Sequence, residues 1–482
     1  MSTVRESRRP AALRILHAPL WLESLRFGVP LAIAMGLQTT FNLVDAFIIS
    51  GLEGDLAAAA LAAILNCDQI AAVGTILCYG LSVAAGTIIS HKHGEGDEEG
   101  VRRVAWQSLL LLLALSVVFA LVGVFGSEFL MRDVMQAKGR VAIVGVPYLQ
   151  IMMGGSFTIF LLLHLVTLQR ALGSSKTATA ILVLANLANF VFAVLFVYGP
   201  GQAPTVLAWG PPIAELLGIP RLGLEGAAWA TVLARLLALI PAFLVTVFRH
   251  GLFRAPARER PHGPTIRRVL DMGWPTSSQL VVRVLAVLAV IRFAQDGFTT
   301  EQDQSVSTAL GIVLRWETMA LFVGLGWGSA SQTFVGQNMG FKNHARAHAS
   351  GWVMALYNAI MMAAFAGLCA VGGSFLISAF SSDPRVIDIG VEYFAWVAPS
   401  YVALGTGVVL GSAIQGAGAT RLALLLDLMV IFLVQFPLSY AVVSFANSPV
   451  RLWQALGFTY LCYAVVYVYV YRRGRFLATR VA

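Results

Sequence analysis

The sequence predicts an all-α polytopic membrane protein with twelve transmembrane helices in two pseudo-symmetric six-helix lobes. Three observations carry this. Only 12% of the 482 residues are charged, and the mean hydropathy is +0.77, well outside the soluble globular range. Apolar stretches of bilayer-spanning length recur along the chain, and they lack the two-residue alternation of a membrane β-barrel. Short motifs repeat between the two halves at an offset of 245 or 246 residues.

The first span, 27–51, sets the pattern. Twenty-five residues at ~1.5 Å each cover ~37 Å, enough for a ~30 Å hydrocarbon core. It carries one acid, Asp45, with Gln38 and Asn42 at positions that share its helical face. A carboxylate inside a span is costly in hydrocarbon and is expected to face a bundle interior or a wet cavity, as an ion or proton site. Further spans follow at 57–89, 101–125, 142–168, 177–198 and 222–248. The second half supplies 268–296, 305–337, 350–379, 392–415, 421–445 and 453–473.

Between the halves, the Pro- and Arg-rich stretch 249–267 has no apolar period and reads as a linker. The expected organisation is a tail over 1–26, an N-lobe over 27–248, the linker, a C-lobe over 268–473 and a tail over 474–482. Gly28–Pro30 and Gly273–Pro275 open spans 1 and 7 with the same Gly-x-Pro. Gly173 after span 4 matches Gly418 after span 10, and Ser90–Gly94 after span 2 matches Gly336–Gly340 after span 8. An even number of spans per half keeps the repeats parallel, with a pseudo-axis along the membrane normal.

The net charge of +9 raises the question of nucleic acid, but the basic residues lie in short loops between spans. Of 33 Lys and Arg, 23 fall on the side of the termini and 6 on the other. The positive-inside rule places both termini in the cytoplasm of a multi-pass protein of the cell inner (plasma) membrane. The basic N-terminus runs into a full-length span rather than a short apolar core with a cleavage site, so it is not read as a secretory signal. Cys67, Cys78, Cys369 and Cys462 fall in apolar spans and read as small hydrophobes.

No enzyme motif survives its context. Gly173–Thr177 resembles part of a phosphate loop but lacks the leading Gly and follows a span. His91 and His93 lack a clear third metal ligand. Catalytic residues, a bound metal and cofactors are therefore not expected. Polar groups within the spans are more informative: Asn66, Asp68, His164, Asn186, Asn189, Arg283, Arg315, Glu317 and Asp427. Two helical halves with buried titratable groups suit alternating access, in which an ion or proton biases one opening of a central cavity.

These residues, over about 25–475, resemble the multidrug and toxic compound extrusion (MATE) transporters. The resemblance rests on the first span with its continuation LAAAALA, on RALGSSKTATAILVLANLANFVFAVLFVYG, on LGLEGAAWATVLARL, on ALGIVLRWETMALFVGLGWGSASQTFVGQNMG and on GSAIQGAGATR. It implies export of amphiphilic, mostly cationic compounds against inward flow of H+, or alternatively Na+. It carries the family's N-lobe coupling site onto Asp45, Asn189 and Thr231. Where many relatives have an acid or amide four residues after the asparagine, this chain has Ala193. Where sodium-coupled relatives have C-lobe acids, it has Arg283 and Leu404, which places coupling on the N-lobe.

The expected substrate cavity comprises Gln38, Asn42, Asn186, Arg283, Trp316 and Glu317. The expected partners are a small amphiphilic molecule and the lipid bilayer, with no nucleic acid, and the chain is expected to act as a monomer. The competing class is a flippase for lipid-linked or other amphiphilic intermediates, for which Arg283, Arg292, Arg315 and Arg235 would supply a cationic groove. Arg283 lies ~22 Å into span 7, and equal depth on neighbouring spans predicts an Arg283–Glu317 ion pair.

Overall fold

The computed structural model describes residues 10–52, 55–253, 260–300, 302–445 and 448–479, without the side chains of 10–13, 40–43 and 55. Among the described residues it is all helical. The first half contains α1 (Pro10–His17), α2 (Leu20–Ser50), α3 (Asp55–Glu95), α4 (Glu98–Phe129), α5 (Gly139–Gly154), α6 (Ser156–Ala171), α7 (Ser175–Tyr198), α8 (Gly210–Leu216) and α9 (Gly223–Leu244). The second contains α10 (Gly263–Phe298), α11 (Ser305–Gly340), α12 (His344–Ser378), α13 (Pro384–Val397), α14 (Tyr401–Gly416), α15 (Thr420–Val430), α16 (Phe436–Phe445) and α17 (Pro449–Arg473).

Among the described residues, eleven helical spans are long and apolar enough to cross a bilayer, and the pair α5–α6, bent by 44°, makes twelve when taken as one span. The bend falls at Gly155, where a Cβ would lie 2.5 Å from the Val232 side chain. Spans 10 and 11 are also composite. A 3-10 turn at Ala398–Ser400 joins α13 to α14, and a π turn at Ile431–Gln435 joins α15 to α16. The sequence reading took both as single helices and did not identify α1 or α8. These two are too short to show in a hydropathy window of span length.

The chain forms two compact units. The first comprises Leu37–Ile89 and Glu99–Gly273; the second comprises the described residues up to Gly36, Ser90–Glu98 and the chain from Trp274. Against the expected division at the linker, three pieces change sides, and close backbone approach accounts for each. In the second unit, Phe27, Leu31 and Ala32 of α2 enter a core with Trp327 and Phe334 of α11. Gly28 leaves room there for the Trp327 ring, which a Cβ would meet at 2.1 Å. The end of α3 lies on the end of α11. A Cβ at Gly94 would stand 2.1 Å from the Gln337 carbonyl oxygen, and one at Gly340 would stand 1.9 Å from that of His91. In the first unit, Gly273 of α10 abuts Leu81 at 2.7 Å in the same sense. The repeated Gly-x-Pro of the sequence thus marks two of the helices that begin in one unit and end in the other, α2 and α10.

Each unit has a buried core. In the first, Ile48, Ile49 and Leu52 pack with Tyr198, Leu224 and Ala228. In the second, Val313, Tyr393, Phe394, Tyr401 and Trp453 form the centre of a cluster. Outward faces are also apolar. Leu113, Val117, Val118, Leu121, Val122 and Phe125 of α4 are all exposed, which is the surface a span presents to lipid.

Candidate coupling site

The first unit assembles a polar cluster around Asp45. Ile48, one turn beyond Asp45 on α2, is pinned to α7 by the Tyr198 hydroxyl, which donates to the Ile48 carbonyl at 2.6 Å. On α9, Gly226 lets the helix approach the Phe196 carbonyl oxygen, 2.5 Å from where a Cβ would stand. These contacts bring α2, α7 and α9 together along the faces that bear Asp45, Asn189 and Thr231.

The three side chains form a hydrogen-bonded chain. Asn189 Nδ2 donates to Asp45 Oδ1 at 2.9 Å and Oδ2 at 3.0 Å. Thr231 Oγ1 lies 3.0 Å from Asn189 Oδ1 and 2.9 Å from the Ala227 carbonyl, so its single hydroxyl proton is shared between or exchanged by two acceptors. The donor directions are consistent with an ionised carboxylate. It can only accept, so the amide presents nitrogen to it and oxygen to the threonine. A protonated Asp45 would carry a donor on one oxygen and lose half of this arrangement.

The chain lines a cavity of about 80 Å³ with Gln38, Asn186 and Arg235. Ile159, Leu162 and Leu163 of α6 close one side. A water occupies ~30 Å³ of liquid, so this volume suits two or three waters or a partly hydrated ion. Drug-sized ligands need ~300 Å³ or more. Gln38 and Asn186, expected in the substrate cavity, therefore stand in the same small space as Asp45. Asn42 has its side chain outside the described residues.

One charged group left out of the expected coupling set also lines the cavity, and an acid outside the lining, Asp68, interacts with it electrostatically. Arg235, one turn after Thr231 on α9, lines the cavity and interacts electrostatically with Asp45 and with Asp68 of α3. Tyr148 of α5 lies within the same field. Spacing alone held a signal for Arg235, because i and i+4 share a helical face. Nothing in the sequence turns Asp68 toward Asp45 rather than toward another neighbour.

The remaining expected residues lie in the second unit, and the predicted Arg283–Glu317 pair does not form. Arg283 instead pairs with Asp427 of α15, Nε to Oδ2 at 2.6 Å, and also donates to Tyr463 at 2.7 Å. Asp427 Oδ1 accepts from Tyr463 at 3.0 Å and Tyr467 at 2.5 Å. Glu317 accepts from Tyr393 at 2.7 Å and, by a shorter bond, from Tyr460. Equal depth on consecutive spans put Arg283 and Glu317 at one level but did not make them face each other. Glu317 turns toward α13 and α17, while Arg283 turns toward α15 and α17. Trp316 is a packing residue whose indole nitrogen donates to the Leu376 carbonyl at 3.3 Å and whose ring meets Phe380 edge-on.

Three of the four arginines expected of a cationic groove are engaged locally, and the fourth, Arg235, lines the small cavity beside Asp45. Arg283 is paired, Arg292 reaches Asp296 at 2.9 Å, and Arg315 lies over the Phe380 ring at 5.6 Å. Among the described residues, no group of three or more His, Cys, Asp or Glu side chains is placed to hold a metal ion. His91 Nε2 is 2.8 Å from the Gly416 carbonyl.

Comparison with known proteins places these features. The family model MatE matches residues 30–195 and 289–441, more than half of the chain. The probable multidrug resistance protein YpnP of Bacillus subtilis is 26% identical over 457 residues, which cover 94% of this chain and 95% of that protein. The FAD transporter of Shewanella oneidensis is 23% identical over 473 residues, 95% of this chain and 96% of that one. The solved structure of a multidrug resistance MATE family transporter in an outward-facing conformation superposes with a TM-score of 0.84 at 20% identity, over 96% of this chain and 97% of that one. At that identity the superposition speaks for the fold.

Proposed function

The chain belongs to the MatE family, and from that premise we propose that it is a secondary active antiporter that exports amphiphilic, mostly cationic compounds in exchange for H+. The observation that carries this reading is the Asp45–Asn189–Thr231 chain on a cavity sized for an ion and a few waters. A carboxylate within a span is a means of taking up a proton from one side of a membrane and releasing it to the other. Protonation removes its charge and breaks the two-oxygen acceptance from Asn189. That loosens α2 from α7, and a state-dependent contact of this kind is what a coupling ion needs to shift an alternating-access equilibrium. Na+ is the alternative coupling ion for the same oxygens.

The chain acts in this proposal as a monomer of the inner membrane with both termini cytoplasmic. It uses no cofactor and no nucleic acid. The flippase reading loses support from the local pairing of Arg283 and Arg292 and the aromatic contact of Arg315.

The test is efflux of a fluorescent cation from proteoliposomes under an imposed pH gradient. Wild type is expected to respond to the gradient, and Asp45→Asn to reach the membrane folded and lose the response. Gradient-driven efflux by Asp45→Asn at the wild-type rate would remove Asp45 from the mechanism. Replacement of Na+ by K+ at constant pH is expected to leave efflux unchanged; strict Na+ dependence would reassign the ion.

A further inference from the structure

A groove of about 340 Å³ runs between α4, α6 and α9 of the first unit. Every side chain that lines it is leucine, isoleucine or phenylalanine. Leu109 and Leu113 come from α4, Leu161 and Leu165 from α6, and Ile240 and Phe243 from α9. The volume falls in the ~300–1,000 Å³ range of small-molecule sites, but the lining side chains offer no donor, acceptor or charge. Leu113, Ile240 and Phe243 are also exposed, so the groove is continuous with the apolar face that α4 presents to lipid.

One end of the groove is closed by an aromatic bridge. Phe243 stacks on Phe253 with ring centres 6.1 Å apart, and Phe253 in turn meets Trp106 of α4 at 6.3 Å. Trp106 lies one turn before Leu109, so the bridge joins α9 to α4 at the end nearest the connection to α10. Phe253 holds a left-handed backbone, φ +61°. A bulky residue rarely adopts that conformation and keeps it only where its surroundings over-determine it.

We propose that this groove binds one acyl chain of a phospholipid from the adjoining leaflet, with Phe253 as the closure that retains it. On the proposed orientation that leaflet is the cytoplasmic one. Water has no polar partner among the lining side chains, whereas an alkyl chain matches them throughout. A chain in the groove touches three helices at once, where a chain against a plain helix face touches one, so its dispersion contacts are more numerous. A cationic amphiphile is a poorer match, because nothing in the groove answers its charge. The polar lining of the Asp45 cavity belongs to the other faces of α6 and α9, which bear Leu162 and Ala234. The same two helices thus wall both spaces, and the bound chain sets their spacing from α4.

The test is photolabelling of the full-length protein in phosphatidylcholine nanodiscs that contain a trace of phospholipid with a diazirine on one acyl chain. Wild type is expected to carry several-fold more label at the groove than on the exposed face of α17 that bears Val465 and Tyr469. Leu161→Phe with Leu239→Phe fills the groove and should bring its label down to the α17 level, with α17 unchanged. Phe253→Ala should do the same by opening the end. Phe253→Gly separates the ring from the backbone: it should lose the excess label as Phe253→Ala does, yet unfold at a higher temperature than Phe253→Ala, because glycine takes this conformation freely.

Equal labelling of the two surfaces in wild type, or an excess that survives loss of the Phe253 ring, would overturn the proposal. Displacement of the excess by tetraphenylphosphonium would also overturn it, and would assign the groove to the apolar part of a cationic substrate. If the filled variant does not fold, the two Phe253 variants still decide. The labelling reads no transport, so its outcome is independent of whether Asp45 is the coupling acid.

Discussion

At the scale of single residues, the two units use ionisable groups differently. Asp45 is held by one amide beside a cavity, a setting that admits a change of protonation. Asp427 is fully buried and held by Arg283, Tyr463 and Tyr467, a set that leaves little capacity unused. Breaking such a pair from one side strands a charge, at a cost of about 3–5 kcal/mol, whereas removing both partners is milder. Arg283→Met and Asp427→Leu should each lower the unfolding temperature in detergent, and the double variant should recover part of the loss. Glu317→Gln should add independently to Arg283→Met, because Glu317 bonds to Tyr393 and Tyr460 instead. Full additivity within the Arg283–Asp427 pair would show that the two are not coupled. Which residue answers which was the least legible part of the sequence. Depth follows from counting along a span, but partner choice depends on rotation about the helix axis. Polar residues on nearly uniform apolar helices specify that rotation weakly. Asp45, Asn189 and Thr231 could be grouped because a family resemblance supplied the missing orientation. Arg235 and Asp68 had no such guide.

At the scale of elements, hydropathy and length were enough to find every span, since each apolar run exceeds the bilayer core. The bend at Gly155 and the exchange of α2, α3 and α10 segments between units were not legible. They depend on the absence of side chains at a few positions rather than on composition. Helix α11 permits a test of that explanation within one element. A Cβ at Gly340 would meet the His91 carbonyl oxygen at 1.9 Å, whereas one at Gly311 has nothing within 4 Å. Gly340→Ala should therefore destabilise by about 1–3 kcal/mol through forced backbone displacement. Gly311→Ala should be neutral or stabilising by up to ~1 kcal/mol, the helix-propensity gain over glycine. The two unfolding temperatures, read in the same detergent, check this; a Gly340→Ala as stable as Gly311→Ala would mean that the ends of α3 and α11 do not pack this closely.

At the scale of the whole molecule, the uneven distribution of positive charge is the basis of the orientation proposed for the protein in its membrane. Arginine and lysine resist translocation when they flank a span within a short loop, so the side richer in them stays cytoplasmic. The ratio of 23 to 6 is too lopsided to be reversed by a few misassigned residues. On the proposed orientation, the connection before α10 is expected in the cytoplasm and the connection between α7 and α9 outside. Two positions report on this without disturbing the fold. Ala208 is exposed beside α8, and Gly263 is exposed at the start of α10, where a Cβ would have nothing within 4 Å. Of the native cysteines, Cys67, Cys78 and Cys369 are buried and Cys462 is partly so, and a variant with all four replaced by alanine removes their background. In intact cells an impermeant maleimide should label Ala208→Cys at once, and Gly263→Cys only after the membrane is permeabilised. The opposite pattern would invert the orientation. The proposed coupling would then run backwards, because the side from which protons reach Asp45 on entry would become the side to which they are released.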